Sequence, residues 1–225
     1  GDGSVVGATI DDVTVSDSGS GEGVMLAGST GTIALTNSTV SSGTDDAMVV
    51  TQPSGTLNLT LTGDTLTEAN TAGNDALNIS STGSATVNPT ISNTKINAAR
   101  GDLFQLNIGD ASSSTLSFMN NTLSNSNTNI VSGGGGVTIT AGGGTSPHAT
   151  LNYDIQHNTF RDSLGNAVGI VNEAGTNAIR GTFSKNTIGD AGVATSATAQ
   201  GSEVAGAALQ VVSSQINDAH NTGCN

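Results

Sequence analysis

The 225-residue chain has no tryptophan, one tyrosine, four phenylalanines, three prolines, one cysteine and only five lysines and arginines. Each shortage excludes something. Five basic residues against eighteen acidic ones leave a formal net charge of −13, which gives nucleic acid no electrostatic footprint and an anionic membrane surface none either. Membrane insertion is not expected: the longest apolar stretches, such as Ala207 to Val212 with Gln210 inside, are far too short to span a bilayer. A single cysteine, Cys224, cannot close an internal disulfide, so stability must come from packing and backbone pairing. No basic-then-apolar leader stands at the first residues, which predicts a mature product or an excerpt of a longer chain.

Hydrophobic residues make up 34% of the chain, many of them β-branched, and Ser, Thr, Asn and 31 glycines fill the gaps. That is too apolar, and too poor in Lys, Glu and Pro, for a disordered chain. It is also too poor in strong helix formers for a helical one. Strand and turn remain.

The strands repeat. Ile33-Ala34-Leu35-Thr36-Asn37-Ser38-Thr39-Val40 is followed by Leu57-Asn58-Leu59-Thr60-Leu61-Thr62-Gly63-Asp64-Thr65-Leu66. Later copies carry Asn93-Thr94, Asn121-Thr122-Leu123, Asn158-Thr159-Phe160, Asn186-Thr187-Ile188 and Asn221-Thr222. With the polar residue before the Thr as marker, positions 12, 38, 64, 93, 121, 158, 186 and 221 lie 26 to 37 residues apart. A second strand follows most markers, as in Ala47-Met48-Val49-Val50, Ala76-Leu77-Asn78-Ile79 and Leu103-Phe104-Gln105-Leu106. Length variation falls in Gly- and Ser-rich turns between the strands.

Such a period is one turn of a solenoid; a propeller blade needs about 40 residues or more. The expected fold is all-β, a right-handed parallel β-helix of about seven to eight rungs of 26 to 37 residues, in one domain over 1–225. Successive markers would then stack about 4.8 Å apart. Asn93, Asn121, Asn158, Asn186 and Asn221 would form an inward hydrogen-bonded ladder, with Asp12 and Asp64 in its early rungs. The spacing at Asn93-Thr94-Lys95-Ile96 hints at a bulge.

On these residues the chain resembles right-handed parallel β-helix repeat proteins, a group with pectate-lyase-like enzymes, autotransporter passengers and other bacterial surface β-solenoids. The resemblance runs from about Val5 to the end and is specific for fold. It implies an extracellular or cell-surface protein, either structural and adhesive or catalytic. In the first case its partners are copies of itself, stacked end to end or side by side, or cell-surface carbohydrate. In the second it is a polysaccharide lyase or glycoside hydrolase, with loops such as Asn97 to Asp102 or Gly142 to His148 walling a groove.

The residues argue for the first case. A lyase needs a base beside carboxylates that hold Ca²⁺, and Lys95, Arg100, Arg161, Arg180 and Lys185 build no single basic groove under marker stacking. The resemblance to pectin hydrolases implies Asn-Thr-Asp, Gly-His-Gly and Arg-Ile-Lys stretches, and none is present; the adjacent pairs Asp11-Asp12 and Asp45-Asp46 read as solvated turns. One column position before the marker, His157 and His220 lie two rungs apart, about 9.6 Å, with Lys185 between them, which excludes a shared zinc. Four positions after it, Asp162 and Asp190 would be neighbours about 5 Å apart, a candidate calcium pair. Thr60-Leu61-Thr62 and Thr138-Ile139-Thr140 do not recur at rung spacing, which argues against a regular hydroxyl lattice.

Overall fold

The computed structural model describes residues 2–16, 19, 21–41, 44–68, 74–126, 135–144, 147–163, 165–173, 176–189 and 209–213. Every regular element among them is a strand. Apolar and polar residues alternate within most of these strands, and in the central rungs one side of the strand is buried. Thr56–Thr62 alternates between exposed or half-buried and buried positions along its whole length, the pattern expected of a strand with one face in a core.

The strands pair only in parallel and coil into three faces, a parallel β-helix of the right-handed type. The first face stacks Asp2–Asp11, the second half of Val24–Thr36, Thr56–Thr62, Thr86–Ser92, Ser113–Met119, Thr150–Gln156 and Ala178–Ser184. The second stacks Thr14–Ser16, Thr39–Ser41, Thr65–Thr67, Lys95–Ala99, Thr122–Ser126, Thr159–Phe160 and Thr187–Ile188. The third runs from the first half of Val24–Thr36 through Met48–Gln52, Leu77–Ser81, Phe104–Gly109, Val137–Gly143 and Val168–Asn172 to Leu209–Ser213. Val24–Thr36 turns the corner as one strand and joins the first and third faces into a 13-stranded sheet.

The seven strands of the second face make about six turns, fewer than the seven to eight rungs expected. The eighth marker, Asn221, lies outside the described residues. Inside the coil, equivalent apolar side chains stack: Leu35, Leu61, Ile91, Phe118 and Ile155 are consecutive neighbours on the first face and all are buried. All four phenylalanines stack across the faces, Phe104 on Phe118 at 5.4 Å, Phe118 on Phe160 at 6.5 Å and Phe160 on Phe183 at 6.3 Å between ring centres. Offset or stacked rings at these separations add to the burial of the phenylalanine side chains.

A left-handed residue makes the corner between the first and second faces in every rung: Asp12, Asn37, Gly63, Asn93, Asn120, His157 and Lys185 all have φ between 51° and 71°. Asn, Asp and Gly tolerate that conformation at little cost; His and Lys adopt it at about 1–2 kcal/mol. This column corrects the expected register at two markers. Asn93 belongs to the exposed corner, and Thr94, one residue later, takes the buried ladder position, since Lys95 pairs with both Thr65 and Thr122. Asp12 likewise makes the corner, and Val13 precedes the second-face strand.

Candidate functional site

Two hydrogen-bonded columns hold the rungs in register. In the first, four residues at the start of the second face donate their backbone N–H to the side-chain oxygen one rung on. Ser38 donates to Asp64 Oδ1 at 2.8 Å, Thr94 to Asn121 Oδ1 at 2.9 Å, Asn121 to Asn158 Oδ1 at 2.8 Å and Asn158 to Asn186 Oδ1 at 2.9 Å. The asparagine amides point backwards, to the carbonyls of Ile91, Phe118 and Ile155. Asn therefore serves as donor and acceptor at once, which a buried position between two rungs requires. Asp64 can only accept when ionised, and its Oδ2 is buried without a hydrogen-bond partner. Burial pushes its carboxyl up to about 6 against the Ser38 and Thr62 N–H groups.

The second column is acidic and was not anticipated. The Asp75 N–H donates to Asp46 Oδ1 at 2.8 Å, the Asp102 N–H to Asp75 Oδ1 at 2.7 Å, and the Gly135 N–H to Asp102 Oδ1. These carboxylates sit where the chain enters the third face, and Asp46 and Asp75 are buried. Burial, with the Asp102 charge added, pushes the Asp75 carboxyl up to about 8. Burial also raises Asp46 and Asp102, against hydrogen bonds from the Asp75 and Gly135 N–H groups respectively. The second oxygens have side-chain company, with Asn78 donating to Asp75 at 3.3 Å. Asp46-Ala47-Met48, Asp75-Ala76-Leu77 and Asp102-Leu103-Phe104 share the order acid, small or apolar, apolar, and that pattern was the available signal.

The outer surfaces are equally ordered. On the second face Thr14, Thr39, Thr65, Lys95, Thr122, Thr159 and Thr187 form one outward column, one residue from each of its seven strands. Beside it run Ser16, Ser41 and Thr67, and, further along, Asn97 and Ser124. Alternating hydroxyl residues do recur at rung spacing, contrary to expectation, in Thr14-Val15-Ser16, Thr39-Val40-Ser41, Thr65-Leu66-Thr67 and Thr122-Leu123-Ser124. The first face carries its own polar rows: Asn88 Nδ2 donates to Asn58 Oδ1 at 3.0 Å, and Thr62 and Ser92 hydroxyls lie 3.1 Å apart.

A concavity lies on the third face, a shallow depression of about 200 Å³ lined by Ser80, Thr82, Asn107, Thr140, Gly143 and Glu173 among others. Its cause is a bulge. Ile108 pairs with Ala141, but Gly109 pairs with Gly143, so Gly142 is extra and takes φ 124°. Such a bulge bends the strand away from its neighbour, and the glycines leave the floor without side chains.

The proposed calcium pair is not assembled by the described residues. Asp162 is an exposed left-handed residue, with φ 51°, and Asp190 lies outside the described residues. Among the described residues no group of three or more His, Cys, Asp and Glu side chains is arranged to hold a metal. His157 and Lys185 occupy the exposed corner column, and His220 lies outside the described residues. Compared with protein-family models, with curated proteins and with solved structures, the chain finds no match.

Proposed function

We propose that this chain is a structural, adhesive β-solenoid of the cell surface or extracellular space that contacts neutral carbohydrate through its flat hydroxyl- and amide-bearing faces. The observation that carries this reading is the second-face column, six threonines and one lysine in vertical register. A parallel sheet holds such groups about 4.8 Å apart, and the fold spends no flexibility to present them. A charge of −13 disfavours polyanionic ligands. The lyase or hydrolase alternative asks for convergent carboxylates with a base or acid partner, and the described depression offers one carboxylate, Glu173.

Retention on insoluble cellulose and chitin, with pectate as the anionic control, tests the reading. The protein should be retained on a neutral polymer, and Thr39→Glu combined with Thr122→Glu should abolish retention without changing the melting temperature. No retention on either neutral polymer overturns it.

A further inference from the structure

We propose that the depression on the third face is a subsite for a single ring of a neutral oligosaccharide, a proposal that rests on the carbohydrate reading above and locates a specific contact within it. Three rungs build it. Ser80, Asn107 and Thr140 are consecutive outward neighbours on the third face, so their hydroxyls and amide stand about 4.8 Å apart in a line along the coil axis. Thr82 and Glu173 stand at its margins. Together these groups include donors and acceptors, and the Glu173 carboxylate is an acceptor that a pair of adjacent sugar hydroxyls can satisfy.

The floor is as informative as the rim. Gly109 lies so close to the Gly143 carbonyl that a Cβ on it would come within 3.0 Å, so the strands meet there as bare backbone. Gly143 also lines the depression without a side chain. A floor of glycine Cα–H groups suits the apolar C–H face of a pyranose, while the rim takes its hydroxyls. The volume, about 200 Å³, is below the roughly 300–1,000 Å³ of sites that enclose drug-sized ligands, which fits one ring held at the surface of a longer chain. Charge selects further. A carboxylate in the rim of a protein carrying −13 repels uronates and sulfated sugars and leaves neutral or amino-bearing hexoses.

Gly143 gives a clean test. Its φ lies outside the left-handed region, and a Cβ there would meet only Glu173 Oε2 at 3.7 Å, so Gly143→Leu should fill the depression without straining the backbone. Thr140→Tyr, an outward substitution on the same strand, blocks it from the other side. Ligand-observed NMR with cellotetraose, chitotetraose and tetragalacturonate on the wild-type protein should show binding of a neutral tetramer and none of the anionic one. Both variants, at unchanged melting temperature, should weaken that binding at least tenfold, and Glu173→Gln should weaken it less.

If no neutral tetramer binds the wild type, or if both blocked variants bind as it does, the subsite is overturned. Polymer retention separates the two readings. Wild type and Gly143→Leu held equally on cellulose or chitin, with no tetramer binding, would remove the subsite and leave the adhesive faces standing. A wild type that neither polymer retains would remove both.

Discussion

Asn121 donates its backbone N–H to the Oδ1 of Asn158, 2.8 Å away and 37 residues on in the chain, and both side chains are 1% exposed. One amide thus ties two rungs together and also donates back to the Phe118 carbonyl at 2.8 Å. Replacing Asn158 with Leu should orphan the Asn121 N–H and the Phe118 carbonyl, at about 1–3 kcal/mol each. Denaturant midpoints measure this. Asn93→Gly is the matched control: Asn93 is exposed with φ 53°, so glycine should be neutral or slightly stabilising. A large loss at Asn93 would return it to the ladder and shift the register by one residue.

The acidic column and Asp64 of the first column set the pH dependence. Asp46, Asp64, Asp75 and Asp102 are all raised above the ordinary aspartate range near pH 4. A raised carboxyl binds more protons folded than unfolded, so stability should fall as pH rises. The contribution is complete below about pH 4 and is lost through about 6 for Asp64 and about 8 for Asp75. Exposed Asp11, lowered by hydrogen bonds from Thr36 and Asn37, works the other way at the acid end. The melting temperature should therefore rise from pH 8 to pH 5. Asp75→Asn keeps an acceptor oxygen for the Asp102 N–H and removes the charge, so it should raise the melting temperature at pH 8 and flatten the profile. An unchanged slope in that variant would remove the column as its source.

Gly181 supports the one tyrosine. A Cβ there would lie 2.3 Å from the Tyr153 carbonyl oxygen and 2.4 Å from its ring, and the two residues are direct strand neighbours. Gly181→Val should overpack this position and cost about 1–3 kcal/mol, read as a lower urea midpoint. Gly7→Val, where a Cβ would meet only the Thr32 carbonyl at 3.9 Å, should be accepted.

Much of the architecture was legible because burial and chemistry alternate together. Leu57, Leu59 and Leu61 point inward and Asn58 and Thr60 outward, and the same alternation repeats at rung spacing. Register failed at Asn93 because Asn93-Thr94 imitates the later Asn-Thr pairs, whereas the coil aligns the residue before the outward column, which there is Lys95. The outward Thr column was in view as the repeated Thr after the marker, yet a search for two threonines in one strand passes over Thr39-Val40-Ser41. The acidic column escaped because its shared order of acid, small or apolar, apolar is short and common, and the union of its members depends on the third face stacking in register. The depression was legible only as a loop from Gly142 to His148 beside a groove; pairing alone shows that Gly142 is an inserted bulge residue within a strand.

Distances along the Thr column test the coil itself. Pairs of spin labels at Thr39 with Thr122, Thr159 or Thr187, in a Cys224→Ser background, should lie about 14, 19 and 24 Å apart between backbones, rising by one strand spacing per rung although the chain adds 37 and then 28 residues. A linear rise is what stacked rungs require. Separations that do not increase in equal steps would contradict a single coil with these residues in vertical register.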